Sequence, residues 1–216
     1  MRPNCKNFSL SFYQFLNPAS VFIFVVGLFL WSCGEKVDHS FDFTEEGLFT
    51  PGIEGPAADS KGNLYAVNFQ KEGTIGIVDS NGNPSLFAEL SDGSIGNGIR
   101  FDDQDNMYVA VYVNHNVLLL PAGTNDAQVF AHDPRLSQPN DLAISPSGIL
   151  FASDPNWEMG TGQLWRVDKD GFHLLEEEMG TTNGIEVSPN GKYLYVNESV
   201  QRRIWRYDLD ELGNVS

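Results

Sequence analysis

Four side chains with oxygen donors recur at one interval in this sequence: Glu54, Asn97, Asn140 and Asn183 stand 43 residues apart. Each is the second residue of a near-repeated phrase, Ile53-Glu54-Gly55, Gly96-Asn97-Gly98, Pro139-Asn140-Asp141 and Thr182-Asn183-Gly184. A carboxylate joined by amide carbonyls makes a hard oxygen set that suits calcium first and magnesium second, and it gives soft metals no thiol or imidazole. Calcium takes about six to eight oxygens, so a few such donors leave room for water, a substrate and a further protein ligand. The same residues have a plainer reading, because Asn-Gly and Asn-Asp are strong turn formers and a repeat copies a useful turn into every unit. Glu54 favours the metal reading: Glu is a poor turn former, and an unpaired carboxylate in a narrow channel is costly to bury unless a cation offsets it.

A period of this length belongs to stacked or radially arranged copies of one supersecondary unit. Within each copy, short apolar or alternating runs are separated by Gly, Asn, Asp, Ser and Pro clusters, which reads as short strands and tight turns with no amphipathic helix. Four such strands per unit fit a blade of a β-propeller. The fold class is therefore all-β, a propeller with about four blades in this chain. The innermost strand of each blade starts near the repeated phrase, which sets Glu54, Asn97, Asn140 and Asn183 around one tunnel mouth. Second strands follow at NLYAVN, NMYVAV, ILFASD and YLYVNE, the last copy carrying one extra residue after Gly191. Third strands are TIGIVD, NVLLLP, QLWRVD and RIWRYD, where Trp165 and Trp205 are expected to pack between blades. Outer strands are SLFA (85–88), QVFA (128–131) and FHLL (172–175), and a fourth is due just past Asn214, so the fourth blade reads as cut short. The longest inter-strand loop is expected from Asp154 to Gly162, carrying Asn156, Trp157 and Glu158, a place where specificity residues often sit.

Composition bounds the partners. With 13 Lys and Arg against 29 Asp and Glu, the net charge of −16 disfavours nucleic acid and anionic lipid. Residues 1–32 hold Arg2 and Lys6 but no acid, followed by an apolar run from Val21 to Trp31 that is short for a membrane span. This reads as a secretion signal. Leu30-Trp31-Ser32-Cys33 before Gly34 resembles a bacterial lipobox, so Cys33 is expected to carry lipid, 33–40 to be a linker, and 41–216 to be the propeller of an exported lipoprotein in the periplasm or at the outer membrane. Cys5 and Cys33 are the two cysteines, which leaves no internal disulfide after cleavage. An ordinary signal peptide or an uncleaved anchor is the alternative.

In order, Glu54-Gly55-Pro56, Pro139-Asn140-Asp141-Leu142, Ser153-Asp154-Pro155 and Asn183-Gly184-Ile185 with Ser188-Pro189-Asn190-Gly191 resemble the regucalcin/gluconolactonase family of six-bladed propellers, from about residue 41 onward. The resemblance implies that Glu54, Asn140 and Asn183 match three of that family's calcium ligands. Asn97 matches no ligand and lines the pocket or forms a turn; Asp154, with Trp157 on the same loop, falls near the substrate cavity. It also implies a fourth ligand, an Asp that doubles as base or nucleophile, on a blade beyond Ser216. Ala57-Ala58-Asp59 stand where the family often has an aromatic residue.

The activity implied is calcium-dependent hydrolysis of a sugar lactone, with the metal polarising the ester carbonyl. A monomer is expected once all blades are present. No Ser/His/Asp arrangement competes, and His39, His115, His132 and His173 fall at unrelated places in the repeat, as surface residues do. Two rivals stand beside this reading. One is a non-catalytic NHL-type propeller that presents a binding face at the membrane; the other is an inert fragment with unpaired edges. The choice among sugar lactones, aromatic lactones and organophosphate esters depends on pocket shape.

Overall fold

The computed structural model describes residues 40–216. The expected leader over 1–32, Cys33 and nearly all of the linker 33–40 lie outside the described residues. Phe41–Ser216 form one compact unit. Among the described residues there are fifteen strands and no helix. The first sheet holds β1 (Ala57–Ala58), β2 (Leu64–Val67), β3 (Thr74–Val78) and β4 (Pro84–Glu89), and the second β5 (Gly96–Phe101), β6 (Met107–Val111), β7 (Asn116–Leu120) and β8 (Gln128–His132). The third holds β9 (Leu142–Ile144), β10 (Leu150–Asn156), β11 (Thr161–Asp168) and β12 (Gly171–Met179), and the fourth β13 (Thr182–Val187), β14 (Tyr193–Glu198) and β15 (Arg203–Asp208). Each sheet is an antiparallel meander with its strands in chain order. These are the four blades that the period predicts.

The core lies between the blades, and this explains the strand patterns. On β6, Met107, Val109 and Val111 pack against the first blade, while Tyr108 and Ala110 pack against the third. A strand covered on both faces reads as a continuous apolar run, and every residue of MYVAV is buried. On β10 and β11, Ala152, Trp165 and Val167 face the second blade and Phe151 and Leu164 the fourth. Trp165 is fully buried, and Trp205 packs partly buried against the third–fourth cluster, so both are inter-blade residues. Outer strands have less to cover: in β4 only Ala88 is fully buried, and in β8 only Ala131.

The inner strands meet edge to edge around the axis. The Gly98 N–H donates to Asn140 O at 2.8 Å, joining the second blade to the third. Such proximity requires glycine after Glu54 and Asn97. At Gly55, φ is +62° and a Cβ would lie 2.1 Å from the Asn97 carbonyl oxygen. Gly55→Ala therefore combines left-handed strain with a backbone clash, and we expect a loss of at least about 2 kcal/mol in urea unfolding. Wild-type stability in that variant would contradict the close inner packing. At the far end of the blades, Asp59 and Asp102 close the first hairpins by accepting the N–H groups of Asn63 and Asn106 at 2.9 and 2.8 Å.

The expected long loop is mostly strand. Asp154 pairs with Gln163, Pro155 with Gly162 and Asn156 with Thr161, which leaves a turn of residues 157–160 closed by Asn156 Oδ1 accepting the Met159 N–H at 2.9 Å. The Pro and Asn residues hid this extension. Gly162 makes it possible, since a Cβ there would lie 2.4 Å from Gly180 O.

Candidate functional site

Every ring donor sits where the chain enters an inner strand. The Glu54 carbonyl accepts the Val67 N–H at 3.2 Å, and the Asn140 N–H donates to Ser153 O at 2.9 Å, so each is tied to the second strand of its own blade. Glu54, Asn97, Asn140 and Trp157 line one cavity of about 250 Å3, together with Gln138, Tyr112, Asn68 and Glu72. The lining is amide and carboxylate oxygen over two aromatic rings, with no imidazole or thiol among its residues. That chemistry fits a hard cation, and room remains for a small ligand. Among the described residues no three His, Cys, Asp or Glu side chains converge, so a cation here would rest on amide oxygens beside the carboxylates.

Several expectations change. Glu54 is exposed, so the burial cost argued for its carboxylate does not arise at this open mouth. Asn183 does not line the cavity; its Nδ2 donates to Ser199 Oγ at 3.0 Å. Asp154 does not line it either. It is fully buried, and its carboxylate accepts the N–H groups of Ser137 at 2.9 Å and Gln138 at 2.6 Å. Burial pushes its carboxyl above the usual range, against the pull of those two donors. Trp157 stays at the mouth, 42% exposed at the tip of the β10–β11 hairpin. His115 is not a free surface residue: it takes φ 52° in the β6–β7 turn, and its Nδ1 is buried without a partner. His132 is exposed, and His173 pairs with Asp168 at 3.0 Å.

Along the inner strands from the donors lies an ion pair that bridges two blades. Arg100 Nη2 is 3.0 Å from Asp141 Oδ1, and Arg100 Nη1 donates to Ile99 O at 2.8 Å. Asp141 also accepts the N–H of Leu142 at 2.8 Å and reaches that of Ile185 on the fourth blade at 3.4 Å. Burial raises its carboxyl above the usual value, and the Arg100 charge offsets part of this. The period signals Asp141 only as the neighbour of Asn140, while Arg100 has no counterpart in the other repeats. Gln138, Tyr112 and Glu72 were likewise missed, since none stands in the ring register.

The chain matches the family described as SMP-30/Gluconolactonase/LRE-like region over residues 53–216. It is 28% identical over 134 residues to a gluconolactonase of Zymomonas mobilis subsp. mobilis, a match covering 54% of this chain and 38% of that protein. It is 24% identical over 206 residues to human serum paraoxonase/arylesterase 1, covering 81% of this chain and 55% of the relative. The chain thus spans roughly two fifths to a little over half the length of these relatives. Among solved structures, the calcium-binding protein regucalcin of Agrobacterium tumefaciens superposes with a TM-score of 0.60 at 22% identity, over 73% of this chain and 54% of that one. That likeness shows the shared fold.

Proposed function

From its membership of the SMP-30/gluconolactonase/LRE-like family, we propose that this chain carries the cation and substrate face of a lactone hydrolase, with calcium as the first candidate metal, magnesium as the second, and a sugar lactone as substrate. The observation that supports this most is the single cavity in which Glu54, Asn97, Gln138 and Asn140 present oxygen donors beside Trp157 and Tyr112.

Glu54 and Asn140 would hold the cation, and Asn183 on the next blade would join them only by turning its amide away from Ser199. A bound calcium ion supplies Lewis acidity toward the ester carbonyl. The remaining work falls to the chain itself. Trp157 and Tyr112 offer flat apolar surface to one face of a ring, while Asn97 and Gln138 offer amide groups to its hydroxyls. Water that attacks the carbonyl must lose a proton, and Glu72 is the second carboxylate on the cavity, placed on the β2–β3 turn where it can accept one.

The test is the initial rate of glucono-1,5-lactone opening, corrected for spontaneous hydrolysis, as calcium is titrated and then removed with a chelator. A calcium-dependent rate that falls at least about tenfold in Glu72→Gln, with calcium affinity unchanged, is the expected result. Calcium binding without hydrolysis would leave a binding propeller and overturn the enzymatic reading.

A further inference from the structure

Behind the ring of donors lies a second ring at the same period. Asn68, Val111 and Asp154 stand 43 residues apart, and Glu198 follows one position later because the fourth repeat carries its extra residue after Gly191. Register places them alike: Val111 pairs with Gly96, and Glu198 pairs with Thr182, in each case the residue just before the donor. Asn68 directly follows Val67, whose N–H donates to Glu54 O, and Asp154 directly follows Ser153, whose carbonyl accepts the Asn140 N–H.

All four are buried, yet they differ in kind. Asp154 accepts the N–H groups of Ser137 and Gln138, the third and second residues before Asn140. Glu198, 1% exposed, accepts the Gly180 N–H at 2.7 Å, three residues before Asn183. Its carboxylate is in turn held by Arg203 and by Trp205 Nε1 at 2.8 Å. Asn68 donates through Nδ2 to Gly52 O at 2.6 Å, two residues before Glu54. Behind Asn97 the equivalent side chain is Val111, which has no polar atom to offer.

We propose that Asn68, Asp154 and Glu198 are positioning residues that fix the loops on which Glu54, Asn140 and Asn183 stand, and that their polarity marks the three blades given a cation ligand in the function proposed above apart from the Asn97 blade. The loop-fixing half stands on this geometry alone; the cation half rests on the function proposed above. Asn68 holds its loop as a donor to the Gly52 carbonyl; for Asp154 and Glu198 the physical reason is selectivity of the acceptor. A buried carboxylate accepts only, so backbone N–H groups aimed at it form short charge-assisted bonds with one arrangement of the loop. An amide in the same place turns a donor toward those N–H groups. A buried carboxylate that fixes no partner would be a net loss to the fold. Groups that orient a metal ligand from behind commonly change metal affinity about 10- to 100-fold when removed.

The test compares Asp154→Asn, Glu198→Gln and Val111→Ala in the intact chain by hydrogen exchange and by calorimetric calcium titration. Asp154→Asn is expected to speed exchange about tenfold or more at residues 137–141, the loss of charge-assisted bonds, and Glu198→Gln to do the same at 180–184. Calcium Kd should rise about tenfold or more in both and less than about twofold in Val111→Ala. Should Asp154→Asn prove too unstable to purify, Asn68→Ser reports the same effect at residues 50–54. Exchange that rises evenly along the chain, or an unchanged calcium Kd beside a loosened loop, would overturn the proposal. A wild-type chain that ignores calcium but shows the local exchange pattern would remove the cation reading and leave the loop-fixing role in place.

Discussion

Glu54→Gln is expected to abolish the calcium response while leaving the fold intact. Glu54 is exposed at the mouth, and the bond that ties it to the blade is made by its backbone carbonyl, so the isosteric amide keeps the local structure. Without calcium, its stability should match wild type within about 0.5 kcal/mol, as for other surface changes. With calcium at about 100 times its Kd, wild type should gain about 2.7 kcal/mol from binding to the folded state alone. The variant should gain nothing at that concentration, because the ring of donors loses its one carboxylate and affinity follows ligand charge. Lactone opening should fall about 100-fold or more with it. Thermal unfolding with and without calcium checks the first effect, and initial rates check the second. Equal calcium stabilisation in both proteins would remove Glu54 from the site.

Arg100→Met should be the most destabilising single change in the tunnel wall. It leaves the Asp141 carboxylate, only 20% exposed, without its cation, and Asp141 ties together the inner strands of the second, third and fourth blades. Removing one partner of such a pair costs about 3 kcal/mol at neutral pH, near the low end for buried pairs because some solvent reaches both groups. In a domain of this size that is roughly a 10 °C fall in Tm. The pH dependence has a definite sign. Asp141 is already held above the ordinary carboxylate value by burial, and losing Arg100 raises it further. A raised carboxyl favours the folded state at low pH, where it is protonated, and burdens it once ionised. The deficit of Arg100→Met should therefore be greatest near pH 7 and shrink as pH falls through the raised value. Adding Asp141→Asn should recover most of the loss. A deficit that grows on acidification would contradict this.

The periodic parts of the molecule were legible because repetition acts through simple rules. Short apolar or alternating runs between turn residues mark strands, a fixed 43-residue interval marks blades, and together they place Glu54, Asn97 and Asn140 on one mouth. The period sets angular order around the axis but says nothing about depth or about what a side chain touches. Asp154 was expected near the cavity from the family resemblance, but the N–H groups of Ser137 and Gln138, on the loop entering its own blade, hold its carboxylate in the interior. Asn183 shares the register of the other donors and still turns its amide toward Ser199. Gln138, Glu72 and Arg100 escaped notice for the opposite reason, since each does its work at one point of the ring only. The β10–β11 extension was hidden by Pro155 and Asn156, residues that usually end strands and here are carried by a hairpin passing over Gly162.

The most direct test of the central claim is a crystal structure of the intact chain in calcium, with anomalous differences measured at long wavelength. One strong peak is expected in the mouth cavity within about 2.3–2.6 Å of a Glu54 carboxylate oxygen and the Asn140 side-chain oxygen. A cavity without a peak at saturating calcium, or a peak bound only to surface aspartates, would contradict it.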